Sequence, residues 1–135
     1  MIPEFKSAFE TKLRSNATIT GNVDDIYFVK APRSVNPNTT KGFIVWTSTF
    51  GDNIPYQGKG NYIEIADLTL GIYAPSLLTV ATLQRQVLTT IDDATLSITN
   101  YTHIQTMRSG GNLPPEQEED TNLWHQAVLY EVMYD

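Results

Sequence analysis

The stretch Asn61–Pro75, NYIEIADLTLGIYAP, decides how the rest of the chain is read. Aliphatic residues recur at alternate positions, the pattern of a half-buried strand. Ile63 and Ile65 alternate in one phase, whereas Leu68, Leu70 and Ile72 alternate in the other. A period of two that slips by one residue points to a bulge or bend near Ala66-Asp67. Immediately after Pro75 the period changes. In SLLTVATLQRQVLTTIDD, Val80, Leu83, Val87 and Ile91 share one helical face, with Leu77, Ala81 and Leu88 flanking it. Ser76 is placed to cap this helix, because its hydroxyl accepts a hydrogen bond from an orphan amide of the first turn. A long strand leading into an amphipathic helix is thus the centre of the fold.

Upstream, IPEFKSAFETKLRSN carries Phe5, Phe9 and Leu13 at i, i+4 and i+8, with Ala8 beside them, which makes a first helix. Pro3 suits its first turn, Glu4 complements the positive end of its dipole, and Ser15-Asn16 ends it. ATITGNVDDIYFVKAP is expected as two short extended pieces around a Gly-Asn turn, the second rich in β-branched and aromatic residues. PRSVNPNTTKG, residues 32–42, is a loop. GFIVWTSTF is a strand, with Phe43, Val45 and Thr47 on one face and Ile44, Trp46 and Ser48 on the other; GDNIPYQGKGN then reads as an irregular connection. Downstream of the second helix, ATLSITNYTHIQTM and NLWHQAVLYEVMY are strands. The latter places Trp124, Val128, Tyr130, Val132 and Tyr134 on one face. Between them, residues 108–122 contain RSGGNLPPEQEED, far longer than the ~2–5 residues of most hairpin loops. The expected order is α-β-β-β-α-β-β in a single domain over residues 1–135, an α+β fold with a mainly antiparallel sheet and two packed helices.

Composition narrows the function. The hydrophobic share of 41% supplies one core, while the charged share of 18% lies below the ~25% of average domains, so Thr, Ser, Asn and Gln cover much of the surface. The net charge of −6 argues against a surface built to neutralise phosphates, yet suits a protein that stands beside DNA without gripping it. There is no cysteine, which excludes disulfides, thiolate metal sites and cysteine nucleophiles. No apolar run approaches the ~20 residues of a membrane-spanning helix, and no membrane partner is expected.

No pattern for an enzyme emerges, and neither a catalytic residue nor a cofactor or metal site is assigned. His103 and His125, with Asp120 nearby, make a metal pair conceivable, but no third ligand has diagnostic spacing and both histidines read more simply as sheet residues. Asp24-Asp25 reads as a turn cap and Asp92-Asp93 as a helix-to-strand loop, rather than as acid/base pairs. GDNIPYQGKG lacks the spacing of a phosphate-binding loop, and no helix starts there. The acidic run after Leu113-Pro114-Pro115 is either a solvated loop or a segment that orders on meeting a partner.

In its layout the chain resembles the tail terminator, or tail completion, proteins of long-tailed bacteriophages. The resemblance rests on an N-terminal helix, a DDIYFVKAP strand, a GFIVWTS strand, YIEIADLTLGIYA followed by a long helix, and a C-terminal LWHQAVLYEVMY strand. Residues 32–42 are longer than that layout requires. The resemblance implies a structural virion protein, assembled in the host cytoplasm, that forms a ring, typically a hexamer, at the head-proximal end of the tail. Such a ring ends tail-tube polymerisation and offers the surface on which the head docks. The implied partners are further copies of the chain, the tail tube protein and a head-completion or connector protein. Genomic DNA passes through the lumen without specific binding, as six copies at −6 each would allow. A head-completion protein of the same junction is the alternative, and a small ligand-binding domain a more remote one. In this setting the two loops become candidate interfaces: Arg33, Asn36 and Lys41 in the first, and Arg108, Gly110, Gly111, Pro114, Pro115, Glu116, Glu118, Glu119 and Asp120 in the second.

Overall fold

The computed structural model describes residues 2–29, 41–56, 61–109 and 113–135. Its described residues form three helices and six strands in one sheet. In chain order these are α1 (Ile2–Arg14), α2 (Ala17–Asn22), β1 (Val23–Phe28), β2 (Gly42–Tyr56) and β3 (Asn61–Ala74). There follow α3 (Leu77–Ile91), β4 (His103–Arg108), β5 (Glu116–Gln117) and β6 (Trp124–Tyr134). The strands lie in the order β1-β2-β3-β6-β4, with β5 also paired to β6. Among the described strands only the β1–β2 pair is parallel, so the α+β class with a mainly antiparallel sheet holds.

The helices cover one face of the sheet. Phe5, Phe9 and Leu13 of α1 and Val80, Leu83, Val87 and Ile91 of α3 are fully buried, as their spacing requires. They meet the even-numbered residues of β2 and β3 (Ile44, Trp46, Leu68, Leu70, Ile72) and Val128, Tyr130, Val132 and Tyr134 of β6. Trp46 is the hub of the aromatic part of this core. Its ring lies 4.7 Å from Phe9 and 4.6 Å from Phe28, centroid to centroid, and its Nε1 donates to Glu10 Oε1 at 3.1 Å. Ser76 caps α3 as expected, accepting from the Thr79 amide at 3.1 Å.

Four expectations are revised. First, Ala17–Asn22 is not an extended piece but the short helix α2. The reason is a cap: Asn16 Oδ1 accepts from the amides of Thr18 (2.9 Å) and Ile19 (3.2 Å), which turns a β-branched run into a helical turn. The same side chain donates through Nδ2 to Gln86 Oε1 (3.1 Å) and Thr90 Oγ1 (2.8 Å), tying α2 to α3. Asn16→Ala loses all four bonds and is expected to lower stability by about 1–2 kcal/mol, read by chemical denaturation. Asn16→Asp keeps the cap and loses the two donors, so it should fall between the wild type and Asn16→Ala.

Second, residues 51–56 extend β2 rather than forming an irregular connection. The remaining residues of that stretch, 57–60, lie outside the described residues. Third, the bulge is real but sits on the neighbouring strand. β3 pairs with β6 without a break from Glu64↔Tyr134 to Ala74↔Trp124, while β2 shifts register between Thr49 and Asp52, opposite Asp67 and Ile65. Hence Ile63 and Ile65 do not rejoin the core phase; they lie on the other face of the sheet. Fourth, residues 94–102 are not strand. Leu96 and Ile98 are buried with the period of a strand, but they pair with no strand among the described residues, and β4 begins only at His103. The long loop at 32–42 falls almost wholly outside the described residues, except that Lys41 precedes β2 and Gly42 opens it.

Gly42 is required by close approach. A Cβ there would stand 2.4 Å from the Tyr73 carbonyl oxygen and 3.1 Å from Leu83 Cδ1, where β2, β3 and α3 meet. At the other end of the first strand, Val29 closes β1 with φ 75°, an unusual backbone for a β-branched residue, while its amide donates to the Trp46 carbonyl at 2.9 Å.

Candidate interaction surface

The face of the sheet turned away from the helices is built from the odd-numbered positions of β2 from Phe43 to Thr49, of β3 from Ile63 onward and of β6, with Gln105 and Met107 of β4 and Tyr27 of β1. Because side chains alternate across a strand, each core residue dictates one neighbour on this open face. Phe43, Tyr73 and His125 stand in register on β2, β3 and β6 and stack as one row. Centroids are 4.9 Å apart for Phe43–Tyr73 and 4.4 Å for Tyr73–His125, with the planes within 8° and 11° of parallel. Tyr27 adds an edge-on contact to Phe43 at 6.3 Å, so the aromatic row crosses four strands. Gly71 allows the row to lie flat: a Cβ there would come within 2.9 Å of Tyr73 Cε2. Further along, Val45, Ile65, Leu129 and Met133 continue the face as partly exposed apolar residues. Burial raises the Tyr73 phenol above its ordinary range, and the charge of Glu118 adds to that shift.

Glu118 belongs to the acidic segment, which proves more structured than a bare loop. Leu113 is held by its carbonyl, which accepts from Gln126 Nε2 at 2.9 Å. Glu116 and Gln117 form β5, paired with His125 and Trp124. Residues 118–123 close a turn: the Glu118 amide donates to the Leu123 carbonyl, the Asn122 amide to the Glu118 carbonyl, and the Thr121 hydroxyl to Glu118 Oε2 at 3.0 Å. Asn122 sits at φ 57°, a left-handed position that asparagine tolerates. Glu119 and Asp120 stand exposed in this turn, and Pro114 and Pro115 are exposed just before β5.

The candidate loop residues thus separate into four groups. Arg33, Asn36, Gly110 and Gly111 lie outside the described residues. Lys41 leads into β2, and Pro114, Pro115, Glu116, Glu118, Glu119 and Asp120 surround β5; the register Phe43↔Tyr73↔His125↔Glu116 puts these two groups at the same end of the sheet as the aromatic row. Arg108, by contrast, is not a loop residue. It is the last residue of β4, on the core side opposite Tyr130, and its guanidinium pairs with Asp92 Oδ2 at 3.2 Å.

That ion pair belongs to a network that the sequence did not announce. Asp92 Oδ1 accepts from the buried Tyr130 hydroxyl at 2.7 Å, while the Asp92 amide closes α3 on the Leu88 carbonyl at 2.9 Å. One carboxylate therefore joins the end of α3 to β6 and β4. Burial first, and the hydrogen bond to Asp92 second, hold the Tyr130 phenol far above its ordinary value. Near the N-terminus, the Arg14 guanidinium at 2.9 Å, with the Ile26 amide, lowers the Asp25 carboxyl. Both partners of that pair are well exposed, so it adds little stability.

The histidines do not meet. His103 begins β4 opposite Tyr134, whereas His125 lies at the other end of β6 opposite Tyr73. His103 Nε2 stands 2.7 Å from Thr106 Oγ1, and burial lowers its pKa. Among the described residues no group of three His, Cys, Asp or Glu is arranged to hold a metal ion, and no helix is long and apolar enough to cross a membrane. An open groove of about 430 Å³ runs between α1 and residues 95–99, lined by Ser7, Thr11, Lys12, Thr95 and Thr99 among others. Its lining holds no aromatic side chain, unlike the mainly apolar and aromatic walls of most small-molecule sites.

No family model and no curated protein sequence matches this chain. Among solved structures it is similar in fold to a chain of the structure described as "Virion of native gene transfer agent (GTA) particle", with a TM-score of 0.65 at 12% identity. The likeness covers 95% of this chain and 92% of that one.

Proposed function

We propose that this protein is a structural component of a phage-like virion, acting as a ring subunit that ends the tail at its head-proximal side. The observation that carries the reading is the fold likeness to a chain of a gene transfer agent virion over nearly the full length of both chains. It agrees with the layout of strands and helices that resembles tail terminators. The surface supports it physically. An aromatic and aliphatic sheet face left open in the single chain is what a subunit keeps for its neighbours, since contiguous apolar patches on soluble proteins mark interaction sites. A ring needs heterologous contacts, one patch meeting a different one on the next copy, and the net charge of −6 lets DNA slide past without adhering. The tail tube and a head-completion protein are the further partners in this reading. The acidic turn around Glu118–Asp120 and Lys41, at one end of the sheet, are the elements we assign to contacts along the tail axis.

The test is electron microscopy of particles made without this protein. Overlong or polymerised tails beside free heads are the expected result. Tails of normal length with heads that leak DNA would overturn the terminator role in favour of head completion, and unaltered particles would overturn both.

A further inference from the structure

At the middle of the open sheet face two carboxylates stand side by side. Asp67 on β3 and Glu131 on β6 are direct cross-strand partners. Directly opposite residues in an antiparallel pair have Cβ atoms about 4.5–5.5 Å apart, and like charges at that spacing are unfavourable. Their outer neighbours across the sheet are Thr49 and Met107, and no position of the described strands on this face holds Lys or Arg. Neither acid has an ion-pair partner among the described residues. A negative pair ringed by Ile65, Leu129 and Met133 calls for a cation carried on an apolar surface.

The chain carries such a surface on its opposite side. Along the outward stripe of α3, Leu78 is 78% exposed, Ala81 is exposed one turn later, and Arg85 is exposed a further turn on. Leu77 adds to the patch at 43% exposure. Arg85 likewise has no ion-pair partner among the described residues. Leu78 and Arg85 are seven residues apart, so they point the same way two turns apart. The two surfaces are complementary in charge and both are apolar. They lie on opposite layers of the molecule, the sheet's open face and the outer side of the helices, so they cannot meet within one chain.

We propose that the outer face of α3 in one copy seats on the open sheet face of the next, with Arg85 placed between Asp67 and Glu131. The contact is heterologous, so each copy offers one surface and accepts the other, and repetition closes a ring or extends a filament. It also gives chains of net charge −6 a local attraction that offsets their mutual repulsion. The inference rests on the ring reading for its setting, but it requires only self-association and not the ending of tails.

Because the chain contains no cysteine, the contact is testable by engineered disulfides. The variant carrying both Asp67→Cys and Arg85→Cys, oxidised at high protein concentration, should run as a ladder of linked dimers, trimers and larger species on non-reducing gels. Each single variant should stay monomeric. A second arm uses charge. Arg85→Glu should weaken association at least about tenfold in sedimentation velocity, as should Asp67→Lys with Glu131→Lys, and mixing these two proteins should restore it, since each face then finds its complement. Circular dichroism of every variant establishes that it is folded. Monomers only from the double-cysteine variant would overturn the proposal, as would efficient dimers from Asp67→Cys alone, which would mean that sheet faces pair symmetrically. If the ladder is absent while particles lacking the protein still have overlong tails, this contact fails and the tail-ending role stands.

Discussion

Replacing Trp46 by alanine is expected to lower the free energy of unfolding by about 3–5 kcal/mol, the range for removing a large buried aromatic. Domains are stable by only about 5–15 kcal/mol, so this one change removes a large part of the total. Trp46 is fully buried and touches Phe5, Phe9 and Phe28, which come from the first helix and the edge strand. Its loss therefore loosens α1 and β1 from the sheet together. Trp46→Phe keeps most ring contacts and loses the bond to Glu10, whose other oxygen still accepts from Lys6 at 3.1 Å; a loss of about 1–2 kcal/mol is expected. Guanidinium titrations followed by circular dichroism distinguish the two. Equal, small losses for both variants would show that the Trp46 cluster is not the hub described.

Asp92→Ala is the second large effect, about 2–4 kcal/mol, because it strands a buried Tyr130 hydroxyl and removes the Arg108 partner at once. Asp92→Asn retains an acceptor for Tyr130, and Tyr130→Phe retains the ion pair, so each should lose about 1 kcal/mol. The network has a pH signature. Burial and the hydrogen bond to Asp92 raise the Tyr130 phenol, and burial with a hydrogen bond to Glu64 raises that of Tyr134, both above their ordinary 10.0. A folded-state pKa above the unfolded one means that the stability is intact below pH 10.0 and falls as pH rises further, because the unfolded chain releases its protons first. Tyrosinate absorbance should show the buried phenols of Tyr130 and Tyr134 ionising only with unfolding. Tyr130→Phe should make the alkaline loss of stability shallower, and an unchanged slope would contradict the assignment.

The helical face of Val80, Leu83, Val87 and Ile91, the stripe of Phe5, Phe9 and Leu13, and the buried face of β6 were all legible in the sequence, since each follows from a period set by local backbone geometry. What misled was equally local. Ala17–Asn22 has strand-like residues, but an asparagine cap overrides that preference. Leu96 and Ile98 alternate like a strand although they pair with no strand among the described residues. Ile63 and Ile65 look like a slip in phase because they lie on the uncovered face; on a sheet covered on one side only, those positions are usually polar.

The amino-acid sequence by itself determined the class of fold, the helices that cover one face of the sheet and the side chains that fill its core, because burial periodicity is written into near neighbours. Only the tertiary structure decided what the uncovered face is. The row Tyr27, Phe43, Tyr73 and His125, the acid pair Asp67–Glu131 and the link Asp92–Tyr130–Arg108 join residues far apart in the chain. They exist because β6 inserts between β3 and β4, and a strand order of that kind is set by packing between distant segments rather than by any local pattern.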